Sequence, residues 1–322
     1  MGSKDYLRVV REMRLENGLV WPVPITLAIS NALAARVTAG AEVALRARDG
    51  RLVAVLEVAD KWAPDLALEA REVYGTTDPT HPGVAYLNSA GPVYLGGQIH
   101  VLERPAAPRF PRHHRDPRET RALFAERGWS RVVAFQARSP MHRGHEHVTK
   151  SALEICDGLL VHPLLGVSRP DDVSADLRMR CYEALLAGYY PAERTLLSVY
   201  PAILRYAGPR EALLHAITRK NYGCSHFMVG SDPEERQLFD ELAPGELGVQ
   251  PLFFERAFYS TVAASMATEK TAAGDVSMRV EVSSADVRAR LARGETPPPE
   301  VMRLEVARIL VAATRGRSRS AG

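Results

Sequence analysis

The chain is poor in cysteine, long apolar runs and net charge, and each shortage removes a class of protein from consideration. Only Cys156, Cys181 and Cys224 occur in 322 residues. They lie far apart with no C-x-x-C pair, so nothing points to a disulfide framework or a cysteine-built metal or redox site, and a reducing compartment fits. No apolar run approaches the roughly 18 residues that a membrane helix needs. No apolar segment follows the N-terminal charges to serve as a signal peptide, so the expectation is a cytoplasmic protein without a membrane partner. A formal net charge of +3 is too slight to argue for nucleic acid. Basic residues do gather in Arg109–Arg118 and Arg315–Arg319. Proline spaces the first cluster and Ser and Gly dilute the second, which suits a linker and a loose tail.

What is present is the balance of an ordinary globular chain, 46% hydrophobic and 25% charged, long enough for two domains. From residue 5 to 104, short β-rich runs at Leu19–Pro22, Glu42–Arg46, Leu52–Val58, Val84–Leu87 and Ile99–Leu102 alternate with Gly, Asp and Pro turns, predicting a compact β-rich module. The proline-laden segment Ala106–Pro117 breaks both helix and central strand and marks the boundary.

Strands then alternate with helices. Asp116-Pro-Arg-Glu119 supplies an N-cap, a proline at the first helical position and an acidic third position, and Gly128 stops that helix. Strands are predicted at Val132–Gln136, Leu159–Pro163, Leu196–Tyr200 and His226–Gly230, and helices near Arg143–Cys156, Ser174–Ala187 and Arg210–Tyr222. Such alternation implies right-handed βαβ crossovers and a parallel sheet, with ligands outside the carboxyl ends of the strands. The places to look are therefore just after Gln136 and Gly230. From Ser283 two helices are expected, the first capped by Ser283 and ended by Gly294, the second introduced by Pro297–Pro299.

The strongest local signal is Phe135-Gln-Ala-Arg-Ser-Pro-Met-His-Arg-Gly-His-Glu146, which runs from a strand end into a helix. A helix N-terminus offers unpaired N–H groups and the positive end of a dipole, and His142 and His145 fall on one face of its first turn. Two imidazoles and a guanidinium there can hold a polyphosphate and stabilise charge developing at phosphorus. A metal pair, with His147 alongside, or two solvated side chains are the duller readings of H-x-x-H.

Gln136-Ala-Arg-Ser-Pro-Met-His142-Arg-Gly-His145 resembles the Q-x-R-N-P-x-H-x-x-H motif of ATP sulfurylases. The resemblance extends, in the same order, through Glu72–Gly83, Gly91–Gly97, Arg178–Tyr182, Arg205–Glu211, Arg219–Cys224, Met266–Thr271 and Pro297–Glu300. It implies an α/β architecture: a PUA-like β-rich N-terminal domain (1–105), a Rossmann-like nucleotidyltransferase domain (106–255) and a small C-terminal helical region (256–322) with a loose basic tail. It further implies that sulfate attacks the α-phosphorus of Mg-ATP in line, giving adenosine 5′-phosphosulfate and pyrophosphate, so the partners are ATP and a small oxyanion and Mg2+ comes with the nucleotide. Gln136, Arg138 and Ser139 would bind the oxyanion. Gln136, His142 and His145 would hold the ATP phosphates, with the histidines and Arg138 catalytic. Gly230 and Asp232 would lie near the nucleoside, with Asp232 on a ribose hydroxyl, and Met266, Ala267 and Thr268 would line the adenine. A homo-oligomer is expected by the same analogy.

The motif match fails at particular places. The family's Asn is Ser139; its G-R-D-H-A-G is Gly230-Ser-Asp-Pro-Glu-Glu235, followed by a shortened loop; and its S-G-T-x-x-R is Ser283-Ser-Ala-Asp-Val-Arg288. Tyr259–Ala273 has no cysteine, so the structural zinc of some relatives is not expected. The chain is also expected to begin inside the family's usual N-terminal domain. A lost cation and the gain of Glu234 and Glu235 disfavour a dianion. Two alternatives to a sulfate enzyme therefore stand: a nucleotidyltransferase for phosphate, phosphonate or adenylyl sulfate, and a non-catalytic nucleotide-binding regulator.

Overall fold

The computed structural model describes residues 1–103, 109–165, 173–272 and 276–320, with side chains to 314. The chain divides into two compact units: Met1–Arg109 with Arg205–Ile217 and Gln237–Leu247, and Phe110–Leu204 with Thr218–Arg236 and Gly248–Gly322.

The first unit opens with helix α1 (Ser3–Glu12), followed by β1 (Leu27–Ile29), α2 (Asn31–Ala34), β2 (Glu42–Arg46), β3 (Leu52–Trp62), α3 (Leu66–Tyr74), α4 (Pro82–Ser89) and β4 (Val93–Val101). Its four strands form an antiparallel sheet in the order β1-β4-β3-β2. Tyr6, Val10, Val73 and Tyr94 bury their side chains together, and Ile29, Leu56, Val58 and Leu95 form a second cluster. The module carries more helix than its composition suggests. Val84–Leu87, expected as a strand, lies inside α4, where Pro82 sits at the first helical position and Val84 and Leu87, three apart, pack on Ala70. Leu19–Pro22 contributes only one bridge, Val20 to Arg14. Arg210 donates to the carbonyls of Val9, Val10 and Pro22.

The second unit is built from α5 (Pro117–Glu126), β5 (Val132–Phe135), α6 (Arg143–Leu153), β6 (Gly158–Val161), α7 (Ala175–Tyr189), β7 (Thr195–Leu197), the end of α8 (Pro209–Asn221), β8 (His226–Val229), the start of α9 (Pro233–Asp240) and β9 (Gln250–Phe253). The strands form an all-parallel sheet, β7-β6-β5-β8-β9. The first strand of the unit, β5, stands in the middle and the order reverses on either side of it, which is the topology that opens a crevice at the carboxyl edge. The expected capping box forms, Asp116 accepting from the Glu119 N–H and Glu119 from the Asp116 N–H.

The edge strand β9 was not legible. Pro251 lies within it, and proline is tolerated only where a strand has a free side. A small antiparallel sheet follows, from β10 (Phe258–Ser260), β11 (Ser265–Ala267) and β12 (Arg279–Val280), and then α10 (Ser284–Ala292) and α11 (Leu304–Ser320). The backbone of Arg315–Arg319, expected as a loose tail, continues α11. The expected linker falls partly outside the described residues. No helix among the described residues is long and apolar enough to cross a membrane.

The core of this unit joins β5 and β6 (Val133, Leu159, Val161) to α7 (Met179, Tyr182, Leu185) and to Val287, Met302 and Val306 of the C-terminal helices and their connection. The three cysteines are free and buried. Burial pushes the Cys181 and Cys224 thiols up to about 12, so they behave as small apolar side chains.

Candidate active site

All four residues of β5 are buried, and the chain leaves the sheet at Gln136 to enter α6 seven residues later. The loop between is pinned by α7. Arg178, 3% exposed, donates to the carbonyls of Arg138 (3.0 Å) and Leu164 (2.9 Å), and the Tyr182 hydroxyl donates to the Ser139 carbonyl (2.9 Å). With those carbonyls satisfied from behind, the loop keeps its course without secondary structure of its own.

His142 caps α6. Residues that usually do this are Ser, Thr, Asp and Asn, so a histidine here is a local sacrifice of helix stability. Its Nδ1 accepts the His145 N–H at 3.3 Å, which places the His142 proton on Nε2. The two imidazoles stack, with centroids 3.7 Å apart and planes 17° from parallel, and Phe135 lies 5.3 Å from His145. Burial above all, then the neighbouring His145 and Arg256, pushes the His142 pKa down to about 2. Burial alone takes His145 to about 4. Both rings are therefore neutral at physiological pH. A Cβ on Gly144 would stand 3.1 Å from the His142 ring, so glycine at that position keeps the face of the pair clear.

Two buried polar atoms here have no hydrogen-bond partner among the described residues, His145 Nδ1 and Gln136 Oε1. Leaving such atoms unpaired costs about 1–3 kcal/mol each, a cost removed when a ligand supplies the missing bond. The first turn of α6 is fastened from outside. Glu146, 3% exposed, takes two hydrogen bonds from Arg303 (2.8 and 2.7 Å) and one from Lys150 (2.7 Å). Burial raises its pKa, but Arg303 and Lys150 outweigh that and hold it below the usual carboxylate range.

The other expected residues distribute as follows. Arg138 and Ser139 line a small cleft together with Ser284, Val287 and Arg288. Ser139 Oγ and Ser284 Oγ are 2.7 Å apart. Met266 and Ala267 form β11, which packs against α6, and Thr268 beyond it is buried. Gly230 and Asp232 follow β8, the strand beside β5, and both are exposed. Asp232 Oδ1 accepts the Glu234 N–H (2.9 Å), so it begins α9 as a cap. A Cβ on Gly230 would come within 2.7 Å of the Glu235 carboxylate, so the expected acidic intrusion is present at that strand end. Sequence reasoning missed Arg256, whose charge reaches His142, and the closing of Arg288 and Ser284 on Arg138. Arg288 was visible as a helix residue, but nothing in its spacing said which loop it would face.

A five-stranded parallel sheet that delivers a stacked histidine pair to a helix N-terminus at its central strand end makes this a doubly wound α/β protein with its candidate site at the carboxyl edge. The family is shown directly: residues 111–313 match the ATP-sulfurylase family model and residues 1–104 that of a PUA-like domain. The chain belongs to the ATP sulfurylase family. It is 52% identical to a sulfate adenylyltransferase of Symbiobacterium thermophilum, over 97% of this chain and 81% of that one. It is 60% identical to the "Probable bifunctional SAT/APS kinase 2" of Sorangium cellulosum over 99% of this chain but only 56% of that protein. A solved structure titled "Hexameric APS kinase from Thiobacillus denitrificans" superposes with a TM-score of 0.75 at 28% identity, covering 96% of this chain and 57% of that one. The chain thus spans little more than half the length of these last two proteins.

Proposed function

We propose that this chain is a sulfate adenylyltransferase. A sulfate oxygen attacks the α-phosphorus of Mg-ATP, the new P–O bond forms opposite the bond to the β-phosphate, and pyrophosphate leaves. Catalysis of this kind is positioning and charge stabilisation, with no covalent intermediate. Mg2+ enters as part of the nucleotide substrate.

The observation that carries the reading is the buried, stacked pair His142–His145 at the start of α6, with His145 Nδ1 unpaired beside it. As neutral rings these histidines donate directional hydrogen bonds to phosphate oxygens, and the N–H groups of α6 add the helix dipole. Arg138 presents a planar fork to two sulfate oxygens, with Gln136 and Ser139 supplying the remaining contacts. Met266 and Ala267 line the adenine, Gly230 approaches the nucleoside, and the second oxygen of Asp232 takes a ribose hydroxyl. By analogy with the hexameric structure, the protein works as a homo-oligomer in the cytoplasm.

Glu235 against Gly230 favours a second reading, in which the acceptor is phosphate or a phosphonate. Purified protein given Mg-ATP and, separately, sulfate, phosphate or methylphosphonate decides between them by pyrophosphate release. Release with sulfate alone is expected; release only with another acceptor transfers the assignment to it, and none with any acceptor leaves a nucleotide-binding regulator.

A further inference from the structure

The two serines at the cleft are each a departure from the family motif: Ser139 stands at the Asn of Q-x-R-N-P, and Ser284 at the Gly of S-G-T-x-x-R. They belong to segments 145 residues apart, yet their hydroxyls meet at 2.7 Å. A long amide has been shortened on one side and a bare glycine has acquired a hydroxyl on the other, so the pair fills one space from both directions. We propose that Ser284 is a positioning residue for the oxyanion, acting through Ser139, an inference that rests on the adenylyl-transfer reading above.

The geometry explains how. The backbone around Ser139 is already held by Arg178 and Tyr182 through the carbonyls of Arg138 and Ser139. What those bonds leave undecided is the Ser139 side-chain rotamer, and the Ser284 hydroxyl decides it; α10 itself is seated by Val287 and Leu291 in the core. The hydroxyl fixes Ser139 Oγ, and it ties the loop carrying Arg138 to the helix carrying Arg288, two residues that line the same cleft. Two hydroxyls sharing one hydrogen bond use one proton between them, so one O–H remains to donate. A tetrahedral oxyanion between Arg138 and Arg288 is the ligand class that accepts from such a set, with Val287 and Leu291 forming the apolar wall behind it. Ser284 lies at the first position of α10, one residue after the Ser283 cap, whose own hydroxyl is used by the Asp286 N–H (3.0 Å). The two adjacent serines thus have separate tasks, and Ser284 can be changed without uncapping the helix.

The test is steady-state kinetics on Ser284→Ala, Ser284→Thr, Ser139→Ala and the Ser139→Ala/Ser284→Ala double variant, with pyrophosphate release from Mg-ATP and sulfate as readout. Losing the orienting bond is expected to raise the sulfate KM of Ser284→Ala roughly three- to tenfold, the worth of one hydrogen bond, while the KM for Mg-ATP and the melting temperature stay near wild type. Threonine, keeping the hydroxyl, restores the sulfate KM, and the double variant is no worse than Ser139→Ala because both act through one bond. An unchanged sulfate KM in Ser284→Ala, or single penalties that multiply in the double variant, overturns the proposal. If the wild type releases no pyrophosphate with sulfate, the functional reading fails. The pairing is then judged by hydrogen exchange at the Arg138, Ser139 and Met141 amides. Faster exchange in Ser284→Ala that threonine reverses upholds it, and unchanged exchange overturns it.

Discussion

Replacing His145 with Asn should flatten the acid sensitivity of the five-stranded parallel sheet. In the folded protein burial holds His145 at about 4, whereas an unfolded histidine titrates near ~6.5. Between those values the unfolded chain binds the extra proton, so stability is fully present above pH ~6.5 and is lost as pH falls towards ~4. Integrating one site between pH ~7 and ~5 gives a loss of about 1.8 kcal/mol attributable to His145. Asparagine is of similar size and polar but does not titrate, so a constant packing penalty cancels when slopes rather than stabilities are compared. His142, whose pKa is also depressed by its neighbour, should lose part of its own acid sensitivity in the same variant. The assay is hydrogen exchange at the β5 amides, corrected for the intrinsic pH dependence of exchange, which reads the opening free energy of this sheet alone. Wild type and His145→Asn should converge by about 2 kcal/mol between the two pH values. Parallel slopes would mean that His145 keeps an ordinary histidine pKa in the folded state, and the picture of a ring held neutral by burial would be wrong.

Three further outcomes are expected. Arg138→Lys, which keeps the charge but loses the planar fork, should lower kcat/KM for sulfate by roughly tenfold to a hundredfold with little change in the KM for Mg-ATP, as read by pyrophosphate release. Glu146→Gln should cost about 2–3 kcal/mol, since it unpairs Arg303 and Lys150 around a buried group whose partners are partly exposed; chemical denaturation of variant and wild type measures it. Gly158→Ala should destabilise by about 1–3 kcal/mol because a Cβ there would lie 2.2 Å from the Trp129 ring, itself stacked on Phe124; a shift in Trp129 fluorescence should accompany the lowered thermal midpoint.

The second unit was legible because its signals are local. A capping box at Asp116, glycine at the ends of α5 and α8, and short apolar strands between them each act within a few residues. The N-terminal half misled where apolar runs were short: Val84–Leu87 has the composition of a strand, but Pro82 starts a helix there and Ala70 and Tyr74 pack on it. For the site, the sequence showed that Gln136, Arg138, His142 and His145 share one loop and one turn. It could not show that the rings would stack, that burial would strip them of charge, or that Ser139 would meet Ser284, because those facts depend on contacts between segments far apart in the chain.

The way α6 is fastened carries a consequence for how this protein can be cut or rebuilt. The Arg143 N–H donates to the Val301 carbonyl, the Arg143 guanidinium to the Pro299 carbonyl, and Arg303 grips Glu146 with two hydrogen bonds. The turn that presents both histidines therefore rests on a short stretch more than 150 residues downstream that contributes no expected site residue. The connection between α10 and α11 is the bearing on which the histidine helix is seated. A fragment ending before Pro299 would keep every expected site residue and still lose the site, and a graft that exchanged this segment for another would have to carry the first turn of α6 with it.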